Sequence, residues 1–91
     1  MSSRNRIETP IAPVQSRMAR AATELRIEDV AQLARVAAGT IVRFERGEEL
    51  KPRTVDAIRR AFEEAGIEFI NDGGAPGVRL HPRASRKPRR K

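Results

Sequence analysis

The sequence predicts an all-α fold: a compact four-helix domain with a short C-terminal β-hairpin and disordered tails at both ends. Three observations support this prediction. Apolar residues recur at helical spacing in four successive segments. After Gly66 the composition changes to strand formers and turn formers. The 91 residues include no cysteine, so neither a disulfide nor a cysteine-bound zinc can hold the fold together, and the core must be simple.

Apolar spacing predicts the first two helices. The first covers roughly residues 14–25, and its buried stripe has spacings of four, three and four residues: Val14, Met18, Ala21 and Leu25. The second begins near Glu28 and buries Val30, Leu33 and Ala34. Residues 1–13 contain two prolines and no apolar period, so they are predicted to be a disordered lead-in.

The third and fourth helices carry clearer end signals. Ile41 and Phe44 anchor a third helix over residues 38–46, and Gly47 supplies its left-handed end. Proline is favoured at the start of a helix, which places Pro52 at or near the first residue of the fourth. The apolar face of the fourth helix has four members: Val55, Ile58, Phe62 and Ala65.

Residues 67–80 are predicted to form the hairpin extension, with strands at 67–70 and 78–80. Turn formers fill residues 71–77 between them. Two isolated strands are only marginally stable, so the hairpin must pack on the helices or pair with a second chain. A homodimer through this hairpin is therefore one expectation, with a monomer as the alternative.

The net charge of +7 is unevenly distributed. Residues 79–91 hold seven basic residues and no acid, whereas residues 1–78 hold 12 of each sign. Like charges repel, so residues 81–91 are predicted to be a disordered basic arm. Nucleic-acid contact and a solubilising tail explain such an arm equally well. Its six candidate contact residues are Arg83, Arg86, Lys87, Arg89, Arg90 and Lys91.

Residues 25–47 contain two short helices joined by a tight turn, which is the helix-turn-helix layout. They resemble the Cro and lambda-repressor type of bacterial regulator, also called the xenobiotic-response-element type. The likeness extends over residues 14–80, including Pro52-Arg53-Thr54 and the hairpin, and implies a helix-turn-helix domain at residues 14–66. Its strongest matches are Val30-Ala31, Val36, Thr40-Ile41 and Arg43-Phe44-Glu45-Arg46-Gly47.

The positions that the resemblance assigns to base reading depart from the family pattern. The family inserts its second turn helix into the major groove and reads bases from the first turn. Here that turn holds Ala37, Ala38 and Gly39, which cannot make the bidentate contacts that specify a base. There are three further departures from the family pattern. Arg35 stands where the family has a turn glycine, and Ala37 stands where it has a polar helix cap. Ile27 stands where it has a polar residue that binds a phosphate. The candidate DNA- or partner-binding face is Ile27, Arg35, Ala37, Ala38, Gly39, Thr40, Arg43, Arg46, Lys51 and Arg53.

Two functions follow as hypotheses. The first is a small cytoplasmic transcriptional regulator, a negative one, that binds DNA with weak direct base readout. The second is an antiactivator-type regulator that has lost operator reading and binds another transcription factor through the same face. In both, exposed Arg43 and Arg46 are either ligand contacts or solvated side chains near Glu45, Glu48 and Glu49. An antitoxin is a third candidate that the sequence neither favours nor excludes.

Other classes of protein are not expected. There is no cysteine, the one histidine precedes Pro82 in the basic tail, and no carboxylate pair lies in an apolar segment, so the sequence predicts no enzyme, cofactor or metal site. No apolar run has the length of a membrane span or a signal-peptide core.

Overall fold

A computed structural model of the chain describes residues 10–81. Four helices are followed by a two-stranded antiparallel sheet, as predicted. The elements are α1 (Pro13–Thr23), α2 (Ile27–Ala34), α3 (Ala38–Glu45), α4 (Pro52–Glu64), β1 (Ile67–Ile70), a 3-10 turn (Asp72–Gly74) and β2 (Gly77–Leu80). The basic arm beyond residue 81 and residues 1–9 of the predicted lead-in lie outside the described residues.

Helix α1 buries a different face from the predicted one. Val14 and Met18 are half-buried and Ala21 is exposed, whereas Gln15, Ser16 and Ala19 are buried. The prediction of the stripe was therefore wrong within α1, because it used only apolar side chains and the inward face of α1 is partly polar. Its fourth member, Leu25, does pack against the core, but it lies beyond the end of the helix. The predicted lead-in, residues 1–13, also extended too far along the chain, because Ile11 is 4% exposed and belongs to the core.

The buried Gln15 fixes the start of α1 to the sheet. Its Oε1 accepts a hydrogen bond from the Ala12 N–H at 2.7 Å. Its Nε2 donates to the carbonyl oxygens of Ile70 at 3.1 Å and Gly77 at 3.0 Å, one on each strand. A buried amide is tolerated in this way because its polar atoms have partners.

Helices α2 and α3 pack against each other and bury Val30, Ile41 and Phe44, as predicted. Leu33 was predicted to be buried but is 48% exposed. The residues of α2 that are buried, Val30, Ala31 and Ala34, lie within about 100° of one another around the helix, and Leu33 falls outside that sector.

Helix α4 agrees closely with its prediction. Pro52 is its first residue, and Val55, Ile58 and Phe62 are buried. The next residues form the hairpin, with Ile67 opposite Leu80 and Phe69 opposite Val78. The Phe69 ring meets the Phe62 ring edge-on, with centroids 6.1 Å apart.

The hairpin extends into the residue with which the basic arm was predicted to begin. The His81 N–H donates to the Gly66 carbonyl at 2.8 Å, which adds one more pair beyond Ile67 and Leu80. His81 Nε2 also lies 2.8 Å from Glu68 Oε1. The sheet packs against α1 and α4, which provides the support that an isolated hairpin lacks.

Within residues 10–81, no helix combines the length and apolar character that crossing a membrane requires.

Candidate nucleic-acid interface

The turn between α2 and α3 keeps the left-handed geometry that a glycine would favour. Arg35 has φ 62° and ψ 45°. Its N–H donates to the Gln32 carbonyl at 3.2 Å, and the Val36 N–H donates to the Ala31 carbonyl at 2.9 Å, which closes the end of α2. A non-glycine residue in this conformation costs about 1 kcal/mol. Arg35 itself is exposed.

The first turn of α3 presents an uncharged surface to solvent. Ala37 is the N-cap, with extended backbone and no side-chain capping bond. Ala37, Ala38 and Gly39 are all exposed. A Cβ added at Gly39 would meet no heavy atom within 4 Å, and its φ is not in the left-handed region. Packing therefore does not require glycine here, and a Cβ fits without strain.

The predicted basic side chains of the candidate face are also exposed. Arg43 and Arg46 lie at the end of α3, Lys51 is the N-cap of α4, and Arg53 is in the first turn of α4; all are exposed. The α4 start has no acidic residue in its first turn, so its positive helix end is not neutralised there.

Two predicted members of the face are less accessible. Ile27, the first residue of α2, is half-buried and packs against the core, so much of its side chain stabilises the domain. Thr40 is half-buried in α3.

Of the acidic residues expected near Arg43 and Arg46, only Glu48 forms an ion pair with either within residues 10–81. Arg43 Nε lies 3.4 Å from Glu48 Oε1, and the two side chains are 50% and 49% exposed. Glu45 faces the interior instead.

Glu45 joins α3 to α1, a contact that the sequence analysis did not predict. Its carboxylate accepts hydrogen bonds from Arg20 Nε at 2.9 Å, Arg20 Nη2 at 2.8 Å and Ser16 Oγ at 2.6 Å. The Arg17 guanidinium donates to the Glu45 carbonyl oxygen. This network fixes the last turn of α3 against α1 and so orients the exposed side of α3.

Electrostatics keep this carboxylate ionised. Burial by itself would raise the pKa of Glu45, but the hydrogen bonds from Arg20 and Ser16 outweigh it, and the net pKa is lowered. The hydrogen bond to Glu45 raises the pKa of Arg20. Ser16 and Arg20 are spaced i, i+4 on α1, which is the one sequence signal that would have indicated a polar contact there.

The candidate interface therefore consists of an uncharged first turn on α3 and of basic side chains at the end of α3 and the start of α4. In the described part of the chain, no three His, Cys, Asp or Glu side chains cluster to hold a metal. In comparisons with known proteins, no family model matches the chain and no curated sequence matches it.

Proposed function

We propose that this chain is a small bacterial transcriptional regulator of the helix-turn-helix type that acts in the cytoplasm and binds DNA. In this proposal α2 and α3 form the motif, and α3 lies in the major groove. The observation that supports it best is the arrangement of α3. Ile41, Phe44 and Glu45 hold one side of α3 against the domain, whereas Ala38, Gly39 and Arg43 are exposed, as are Arg46, Lys51 and Arg53 beyond the helix.

The contacts available on this surface favour backbone binding over base reading. Ala37 and Ala38 offer only methyl groups, which can touch a thymine methyl, and Gly39 offers no side chain. Arg46, Lys51 and Arg53 suit phosphate contacts, which position a protein without specifying sequence. We propose negative regulation, because a bound domain of this size blocks a promoter without any further contact.

The test is selection of duplexes from a random library by the full-length chain, followed by affinity measurements over a salt series. We expect an enriched sequence and a steep fall of affinity with salt. Deleting residues 83–91, which removes six basic side chains, should flatten the salt slope. Failure to enrich any duplex, with equally weak binding to all of them, contradicts the proposal.

A second candidate is an antiactivator that docks on a transcription factor. The half-exposed Leu33 on α2 favours it, together with the uncharged turn at residues 37–39, because contact cores are depleted in charge. Leu33→Gln, which adds no charge, should abolish such docking and leave DNA affinity unchanged, whereas Arg53→Ala should weaken DNA binding only. A tight complex with a transcription factor, and no sequence preference on DNA at about 150 mM salt, would decide for this candidate.

We also propose that two copies pair through the hairpin, which would present two α3 helices to a two-fold site. The register between β1 and β2 supports this pairing. Because Gly66 and His81 are a hydrogen-bonded pair, alternation directs the backbone groups of Val78 and Leu80 away from β1. Val78→Pro removes an outward N–H and spares the ladder with β1. Sedimentation should show a dimer for the natural chain and a monomer for this variant; a natural chain that sediments as a monomer contradicts the pairing.

A further inference from the structure

The main chain itself brings Glu48 next to Arg43. Gly47 has φ 96°, which turns the chain back at the end of α3. The Gly47 N–H donates to the Phe44 carbonyl at 2.9 Å, and the Glu48 N–H donates to the carbonyl of Arg43 at 3.0 Å. The two residues are therefore joined by a backbone hydrogen bond as well as by their side-chain ion pair.

This pairing separates Arg43 from the other basic residues of the interface. Within residues 10–81, neither Arg46 nor Lys51 nor Arg53 forms an ion pair, whereas Arg43 Nε lies 3.4 Å from Glu48 Oε1. Arg43 is also the interface residue on α3 that combines exposure with a guanidinium long enough to reach a base edge from the helix body.

We infer that Glu48 restrains Arg43 and thereby makes it a specificity-determining residue of the α3 surface. The inference rests on the proposed DNA binding. When Arg43 leaves Glu48, it leaves an unpaired carboxylate beside the phosphates. On arbitrary DNA, a phosphate contact by Arg43 does not compensate for this cost, so Arg43 stays paired with Glu48. On a site with a guanine within reach, the bidentate contact of the guanidinium with the two guanine acceptors compensates for it.

An exposed ion pair such as Arg43–Glu48 is weak, so Arg43 can exchange Glu48 for a guanine reversibly. Removing the Glu48 charge tests this exchange. Glu48→Gln frees Arg43 to contact phosphates on any sequence. Affinity for non-specific DNA should then rise by about two- to fivefold, and the ratio of specific to non-specific affinity should fall by a similar factor. One additional phosphate contact should also steepen the salt slope by about one.

Glu49 provides the matched control. It is exposed, adjacent in sequence and, within residues 10–81, forms no ion pair, so Glu49→Gln changes the net charge equally without releasing Arg43. The full-length chain and its variants are compared on two probes: a duplex enriched from the random library and a scrambled duplex of the same composition. Thermal unfolding of each variant verifies that Glu48→Gln leaves the fold intact.

A double-mutant cycle with Arg43→Gln completes the experiment. We expect the extra effect of Glu48→Gln to disappear in the Arg43→Gln background. In the free chain, the NMR resonance of the Arg43 Nε–H should shift with Glu48→Gln and not with Glu49→Gln.

Equal effects of the two glutamate variants, or an effect that persists without Arg43, would mean that Glu48 acts only through net charge. That result overturns this inference while DNA binding stands. A natural chain that binds neither probe above background refutes both the inference and the proposed function.

Discussion

Helices α1 and α4 both pack against the hairpin, but they bury different kinds of side chain. Helix α4 contributes Val55, Ile58 and Phe62, which need only be excluded from water. Helix α1 contributes Gln15 and Ser16, whose polar atoms need partners at defined positions. The stability of the α4 face therefore depends on the buried apolar volume, whereas that of the α1 face depends on the positions of hydrogen-bond partners. The two faces should respond differently to substitution.

The largest effect is expected on the apolar side. Phe62 is fully buried and stacks edge-on against Phe69. Phe62→Ala should reduce the free energy of unfolding by about 3–5 kcal/mol, because it removes the buried ring and leaves a cavity. Urea denaturation followed by circular dichroism measures this. Phe62→Leu, which keeps more of the volume, should cost clearly less; equal losses would mean that volume is not what the α4 face provides.

The next effect should come from Glu45 on the polar side. Glu45→Gln keeps the shape but removes the charge that Arg20 and Ser16 satisfy. We expect a loss of about 2 kcal/mol at pH 7, the range for hydrogen bonds to charged groups. Urea denaturation at neutral pH measures the loss.

The same substitution should change the pH dependence. The pKa of Glu45 is lower in the folded protein, so its contribution to stability is present above the ordinary pKa of a glutamate and is lost as pH falls through the lower folded value. Part of the loss of stability below about pH 5 should therefore be absent from Glu45→Gln. The pKa of Glu68 is also lowered, by His81 and Arg79, so Glu68→Gln is the control for a solvent-exposed carboxylate. An unchanged pH profile in Glu45→Gln would contradict the role of this carboxylate.

A substitution of Gln15 tests whether the hydrogen bonds of α1 contribute more to stability than added apolar surface would. Gln15→Leu makes the buried face more apolar, yet we expect a loss of about 1–3 kcal/mol, because three backbone groups lose their side-chain partner. Hydrogen exchange should show faster opening of the hairpin near Ile70 than near Ile67. A variant more stable than the natural chain would show that the polar contacts of α1 are dispensable.

The contrast between the two helices also explains what the sequence predicts well. Periodicity locates α4 because its buried residues are the apolar ones, and Pro52 marks its start. Periodicity selects the wrong face of α1, because no pattern states that Gln15 will find the carbonyls of Ile70 and Gly77, 55 and 62 residues away. Leu33 shows the converse: an apolar residue at helical spacing that stays exposed.

The candidate interface divides in the same way. Three local features agree with what the resemblance implied: Arg35 is left-handed, Ala37 makes no side-chain capping bond, and residues 37–39 are exposed. The ion pairs between side chains could not be predicted in this way. The sequence places three carboxylates near Arg43 and Arg46. The packing of α1 decides that Glu45 turns inward to Arg20, and the chain reversal at Gly47 brings Glu48 to Arg43.

The smallest expected effect lies at the ends of the helices and has the opposite sign. Helix α4 is followed by Gly66 at φ 103°, whereas α1 ends at Glu24 with φ 63°, a conformation that disfavours side chains. Glu24→Gly should therefore stabilise the domain by up to about 1 kcal/mol, less the extra entropy of glycine in the unfolded chain. Arg35→Gly is the matched variant, since Arg35 has φ 62°. Both should raise the unfolding midpoint, whereas Arg26→Gly, at an extended position, should not. A loss of stability in Glu24→Gly would show that its side chain makes a contact that outweighs the backbone strain.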